Sequence, residues 1–302
     1  MGCEPLGGAD WGTVDIAEAE AVVRAAWDAG IRVFDTADVY GLGKSEQRLA
    51  RALGSVRHDA VIVSKFGVRW RPVPGARAAT WKDASPSHLV LALESSLRRL
   101  QIDRIPVYLV HWPDARTALD DTLAELERQR LAGKIGVYGV SNHWGSELTK
   151  AMALGASIAE LPLSLVDMRA DIEMSRCASS GLDVLAYGVY AQGLLCGNYD
   201  RASRFGDDDR RGRLSQFSED TWDANETVLA QLALIAGKRG VSMASVALRW
   251  VLDHEAVSLA IVGMKTRAQL ADALSALTWE LEAAEADGLR EAGAHAARLT
   301  VS

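Results

Sequence analysis

Seven short apolar runs in this chain lead directly to side chains able to hold a proton, move one, or grip a ligand. The run 31–34 gives way to Asp35, with Tyr40 five residues further on. The run 60–64 leads to Lys65, 107–110 to His111 and Trp112, and 135–140 to Ser141 and Asn142. Glu160 lies near the end of 157–161, Tyr187 follows 182–186, and 258–262 opens on Gly263 with Lys265, Thr266 and Arg267 beyond. Carboxylate, phenol, ammonium and imidazole are the groups of general acid–base catalysis. Singly, each has an ordinary alternative. Asp35 and Lys65 could form a structural ion pair, His111 could be a satisfied rim histidine, and Tyr40 alone signifies nothing. Lysine is scarce here, however, at 7 of the 33 basic residues, so one that ends an apolar strand is less casual. Four convergent groups outweigh the separate readings.

Convergence of this kind demands a frame that brings every strand end to one place. The apolar runs alternate with stretches of helical period at 16–29, 87–100, 119–132, 146–154, 168–179, 221–236, 242–254 and 267–277. Ser85-Pro86 supplies an N-cap and a first-turn proline, and Gly30, Gly133, Gly155 and Gly181 stand where helices close. Strand–helix alternation over the whole length implies parallel strands joined by crossovers. With residues 2–6 as an eighth strand, the pattern predicts a (β/α)8 barrel, whose functional groups gather at the C-terminal strand ends. An open doubly wound sheet is the competitor. It is disfavoured because no G-x-G-x-x-G follows a strand and no P-loop motif is present. No composition break divides the chain, so residues 1–302 are expected to form one barrel domain. Residues 70–80 and 200–220 are long polar insertions, and 200–220 is expected to act as a lid.

Composition narrows the partners. A 302-residue chain with 49% apolar and 24% charged residues is an ordinary globular protein. A net charge of −7 without a polybasic tract argues against nucleic acid and anionic membranes. Cys3, Cys177 and Cys196 have neither zinc-site nor CxxC spacing, so no metal is expected and the thiols read as inert in a reducing compartment. The longest uncharged run, 184–199, is too short and glycine-broken to span a bilayer, and no basic leader precedes an apolar stretch. The expectation is a cytoplasmic protein acting on a small molecule, with the oligomeric state left open.

The string Phe34-Asp35-Thr36-Ala37-Asp38-Val39-Tyr40-Gly41, followed by Ser45-Glu46, resembles the aldo-keto reductase signature F-D-T-A-x-x-Y-G with S/N-E. Val63-Ser64-Lys65, Leu109-Val110-His111-Trp112-Pro113-Asp114 and Gly139-Val140-Ser141-Asn142 follow in that family's order, and the resemblance spans the chain. It implies a barrel that binds NADP(H) at its C-terminal rim without a Rossmann domain and reduces the carbonyl of an aldehyde, ketone or keto-sugar. Tyr40 would be the general acid, a phenol of ordinary pKa ~10 that the Lys65 cation would lower toward the working range. Asp35 would hold Lys65 in place, and His111 would orient the substrate oxygen. Relatives that reduce a carbon–carbon double bond carry glutamate at this histidine, so His111 points to carbonyl chemistry. Ser141, Asn142 and Glu160 would hold the nicotinamide carboxamide, and Tyr187 would stack beneath the ring. Gly188, Val189, Gly193, Leu194 and Gly197 would line the pyrophosphate, with Gly193 and Gly197 allowing close backbone approach. Gly263, Lys265, Thr266, Arg267 and Gln269 would take the 2′-phosphate end, with Thr266 as an N-cap between two cations. Oxidation of an aldose or polyol by NAD(P)+ is the alternative direction. A cofactor-binding regulatory subunit, like the potassium-channel β-subunits of the superfamily, is the alternative of another class.

The sequence departs from the family pattern in several places. Glu160 stands where glutamine is usual, Ala273 replaces an asparagine, Pro106 replaces an aspartate, and the usual N-terminal hairpin is absent. Glu160 carries the most physical content. Ionised, it would favour the positively charged oxidised cofactor; protonated by burial, it would stand in for a neutral glutamine. Trp11, Trp112 and Trp144 are the candidate walls of the substrate pocket.

Overall fold

The computed structural model describes residues 1–74 and 76–300. From the N-terminus, α1 (Ile16–Asp28), β1 (Val33–Asp35), α2 (Lys44–Leu53) and β2 (Val61–Phe66) lead to an antiparallel hairpin, β3 (Val68–Val73) and β4 (Ala76–Lys82). The alternation then resumes with α3 (Pro86–Leu100), β5 (Ile105–Val110), α4 (Leu119–Leu131), β6 (Ile135–Ser141), α5 (Gly145–Ala153), β7 (Ile158–Pro162), α6 (Asp171–Ser179) and β8 (Asp183–Tyr187). After a long loop come α7 (Glu219–Arg239), α8 (Met243–Leu252), β9 (Leu259–Ala260), α9 (Arg267–Ser275) and α10 (Ala283–Thr300). The seven strands outside the hairpin pair in parallel and in chain order. The eighth position shrinks to one residue: Gly2 bridges in parallel to both Asp35 and Gly263 and joins the sheet's two edges. The result is a (β/α)8 barrel.

Two apolar cores follow from strand alternation, which sends successive side chains to opposite faces. Val63, Val107, Leu109, Ile158, Leu185 and Ile261 fill the barrel. Their neighbours of opposite parity, among them Ile62, Tyr108, Val140, Ala159 and Val184, face outward and pack with helix residues such as Leu93 and Leu126. Following the inward parity to the strand tops gives Asp35, Lys65, His111, Ser141, Glu160, Tyr187 and Gly263. The alternation that fills the barrel with aliphatics therefore also brings the candidate site residues together at its mouth.

The structure corrects three expectations. Residues 70–80 are mostly the β3–β4 hairpin rather than an irregular insertion. Helix α6 begins at Asp171, because Ser164 and Asp167 bridge each other and close a turn first. Helices α2 and α10 were not predicted. The first follows a glycine-rich turn directly, and the second is an alanine-rich segment. Between β8 and α7 the chain forms turns of 3-10 helix at Arg210–Arg213 and Ser215–Phe217, anchored by mutual edge contacts of Tyr199, Phe205 and Phe217. Among the described residues no helix is long and apolar enough to cross a membrane.

Candidate active site

Lys65 is the centre of the site. It is fully buried, and its ammonium donates to Asp35 Oδ2 at 2.5 Å and to the Thr36 carbonyl at 3.0 Å. Glu160 Oε2 lies 3.3 Å from the same nitrogen, outside hydrogen-bonding geometry, and is otherwise unpartnered. Burial alone would pull the ammonium down, but Asp35, Glu160 and Tyr40 outweigh it and hold Lys65 well above the ordinary lysine range. Glu160 moves the other way: burial and Asp35, against Lys65, push it up to about 8. At neutral pH the carboxyl is therefore mostly protonated, which is the glutamine-like of the two expected states.

Tyr40 sits on the turn between β1 and α2, with Lys65 Nζ 5.5 Å from its ring centroid. Its ring meets His111 edge to face at 5.7 Å. Burial pushes its phenol well above the tyrosine range, and the pull of Lys65 does not reverse this. The expectation that Lys65 brings Tyr40 toward neutrality is corrected to this extent: before a substrate enters, the phenol is firmly protonated. Burial, with Lys65 and Arg210 nearby, holds His111 well below the ordinary imidazole range, so it is neutral, and its Nδ1 has no partner. Trp112 stacks on His111 at 6.2 Å and is 39% exposed, while Trp144 is half-buried beneath Arg169.

The Tyr40 turn is held by buried polar contacts that were not predicted. Thr36 and Ser45 hydroxyls meet at 2.9 Å, and Ser45 donates to the Cys3 carbonyl at 2.7 Å. Glu46 accepts from Ser64 Oγ at 2.6 Å and from Arg99 Nε at 2.6 Å. The serine and glutamate of that motif thus tie α2 to the N-terminal segment, the end of β1, β2 and α3. Gly41 completes the turn at φ 57°, where a Cβ would meet the Gly7 carbonyl oxygen at 2.3 Å. Gly41→Ala is expected to cost about 2–4 kcal/mol, from left-handed backbone plus overpacking, and to lower kcat by moving Tyr40. Urea denaturation and steady-state rates of the variant check both effects.

Around the rim, Asn142 holds a positive φ of 60°, a conformation asparagine tolerates. Its amide donates to the His111 carbonyl at 2.9 Å and to Ser141 Oγ at 3.0 Å, and accepts from Tyr187 OH at 2.6 Å. Ser141 Oγ in turn donates to Glu160 at 3.3 Å. The three expected carboxamide contacts therefore form one connected group with Tyr187, and Glu160 Oε2, beside Lys65, has no hydrogen-bond partner of its own. That buried, unpartnered atom fits a nicotinamide carboxamide.

The segment after β8 is less simple. Gly188, Gly193 and Gly197 all have positive φ, and so do Ala191 and Gln192, while Val189 and Leu194 are buried. Gly193 and Gly197 are also packed against the protein's own side chains. A Cβ on Gly193 would touch Tyr199, and one on Gly197 would meet Met243 Sδ at 2.6 Å. At the start of α9, Thr266 is the N-cap expected, forming a reciprocal capping box with Gln269. Gln269 Oε1 also accepts from the Lys265 and Thr266 amides at 2.7 and 3.3 Å, so those two donors are already used. Lys265 Nζ donates to the Trp11 carbonyl at 3.1 Å, and Arg267 is exposed. Gly263 joins Gly2 across the barrel seam. Ala273 is buried in the packing of α9.

Sequence reasoning missed Glu4 and Arg210. Their side chains pair at 2.5 Å across the mouth, and Arg210 lies over the Trp11 ring. Partners 206 positions apart carry no local signal.

A barrel mouth carrying a phenol, a buried lysine–aspartate pair and a neutral histidine is equipped for proton transfer to a carbonyl oxygen. The aldo/keto reductase family model matches residues 2–294, and the chain belongs to this family, making it an NAD(P)(H)-dependent oxidoreductase. It is 30% identical over 287 residues to aldo-keto reductase YhdN of Bacillus subtilis, covering 93% of this chain and 85% of that protein. Aldo-keto reductase yakc [NADP(+)] of Schizosaccharomyces pombe is 26% identical, over 90% of this chain and 82% of its own. Among solved structures, the glycerol dehydrogenase AKR11B4 from Gluconobacter oxydans superposes with a TM-score of 0.88 at 30% identity, covering all of this chain and 92% of that one.

Proposed function

We propose that this protein is a cytoplasmic, NADPH-dependent reductase of a small aldehyde, ketone or keto-sugar, with Tyr40 as the proton donor. The observation that carries this reading is the convergence of Tyr40, His111 and the Asp35–Lys65 pair in one barrel mouth. A nicotinamide cofactor, when bound, supplies or receives the hydride. Tyr40 gives its phenolic proton to the carbonyl oxygen as carbon is reduced. The Lys65 ammonium, fixed by Asp35, stabilises the phenolate left behind. His111, neutral, holds the substrate oxygen by hydrogen bonding. Ser141, Asn142, Glu160 and Tyr187 are proposed to hold the nicotinamide end. Residues 188–194 would follow the diphosphate, and Gly263 to Gln269 the 2′-phosphate end. Residues 200–220 serve as the lid.

The alternative direction, NAD(P)+-dependent oxidation of a polyol or aldose, is favoured by the similarity to a glycerol dehydrogenase. Rates on a panel of aldehydes, ketones and polyols, followed by cofactor absorbance in both directions, discriminate the two. Failure to turn over any member while still binding cofactor would favour the regulatory-subunit reading instead.

NADPH is expected to bind at least about tenfold more tightly than NADH. The extra phosphate would meet Lys265, Thr266 and Arg267 through charge-assisted hydrogen bonds worth about 1.5–3 kcal/mol each. Cofactor fluorescence titration checks this, and equal Kd values for the two would refute the assignment of that end of the site.

A further inference from the structure

We propose that Glu160 is a positioning residue for the proton transfer, a carboxyl whose charge decides how readily Tyr40 gives up its proton. The proposal rests on the reading of Tyr40 as the acid. Its basis is a charge count in a dry place. One ammonium, on Lys65, is fully buried, and two carboxyls, Asp35 at 2.5 Å and Glu160 at 3.3 Å, face it. Glu160 is itself only 3% exposed. With Glu160 protonated the cluster is neutral, and the full attraction of Lys65 is available to a phenolate on Tyr40. With Glu160 ionised the cluster carries a net negative charge, which opposes that phenolate.

The step itself balances simply. The Tyr40 O–H bond breaks as the alcohol O–H forms, and the phenolate later regains a proton from solvent. Glu160 transfers nothing. It acts through Lys65, and burial and Asp35 place its titration near pH 8, where the effect would be seen.

Other groups face this cluster. From β1 comes Asp35, from the turn after β1 Tyr40, from β2 Lys65, from β6 Ser141 and from β8 Tyr187. Burial pushes the Tyr187 phenol above its ordinary range, and His111 is held well below its own, so neither titrates near pH 8. Glu4 acts on Tyr40 and is itself pushed upward by burial, Asp38 is pushed upward by burial and Glu46 and acts on Lys65, and the Met1 ammonium, lowered by burial, acts on Asp35; Glu4, which acts on Tyr40 directly, is the control among them.

The test is the single-turnover rate of carbonyl reduction with saturating NADPH from pH 5.5 to 9.5. Wild type, Glu160→Gln, Glu160→Asp, Glu4→Gln and Tyr40→Phe are compared. A unit charge at this range and an effective dielectric of ~20 corresponds to a change on the order of tenfold. Wild type should therefore lose about tenfold through a limb near pH 8. Glu160→Gln should be flat there, Glu160→Asp should keep a displaced limb, and Glu4→Gln should keep the wild-type one. A readout independent of turnover is the Tyr40 phenolate absorbance, taken as the difference from Tyr40→Phe. Its onset should fall by about one pH unit in Glu160→Gln. An unchanged limb and onset in Glu160→Gln, or loss of the limb in Glu4→Gln, overturns the proposal. Full activity in Tyr40→Phe would instead overturn the functional reading on which it rests.

Discussion

Tyr40→Phe is expected to lower kcat for carbonyl reduction by about 10²–10⁴ while leaving cofactor affinity and folding near wild type. The phenyl ring can keep the edge contact with His111 and the position beside Lys65, since both involve the ring rather than the hydroxyl. Among the described residues no replacement donor is at hand. His111 is neutral because burial, Lys65 and Arg210 all oppose its charging, and a neutral imidazole is a very weak acid. Lys65 is held too firmly protonated by Asp35 and Glu160 to substitute. Cofactor titration of the same variant separates loss of the acid from loss of the site. A variant that binds cofactor normally and retains more than a tenth of wild-type kcat would exclude Tyr40 as the acid.

The strand ends were legible in the sequence because two periodicities coincide there. Apolar runs mark the strands, and period-two alternation carries the inward parity from Val63 to Lys65, from Leu109 to His111 and from Ile158 to Glu160. A barrel turns that parity into a site without further information. What stayed hidden is long-range pairing and local turn packing. The Glu4–Arg210 pair joins the N-terminal segment to the loop before α7, and the contacts of Ser45 and Glu46 lie on a helix that follows a glycine-rich turn too closely to stand out. Thr266 was readable as an N-cap because capping is local. The use of the Lys265 and Thr266 amides by Gln269 was not, since it depends on the side chain folding back. The direction of the Tyr40 shift was misjudged because a sequence shows that a cation is near but not how much water has been removed.

Lys65→Met should show how far the same cluster holds the barrel together. Methionine fills a similar volume, so the loss is chiefly electrostatic. Two carboxyls that faced one ammonium are left facing each other in a site nine-tenths or more closed to water. Removing one partner of a buried pair costs about 3–5 kcal/mol, and urea denaturation should return a loss of that size together with abolished turnover. The pH dependence identifies the cause. Wild-type Glu160 gives up its proton through about pH 8, whereas without the ammonium it keeps that proton to higher pH. In the unfolded chain the same carboxyl is ionised above about pH 4.5. The folded variant thus binds more protons than its unfolded form beyond pH 8, so its stability continues to fall where that of wild type levels off. The gap between the two should widen from pH 7 to 9.5 by up to about 1.4 kcal/mol per pH unit above 8. The double variant Asp35→Asn/Lys65→Met removes the stranded carboxylate as well, and should recover part of the loss and flatten the pH dependence. A single variant that loses less than about 1 kcal/mol, or a double variant no more stable than the single one, would mean that packing and not the buried charge cluster secures this end of the barrel.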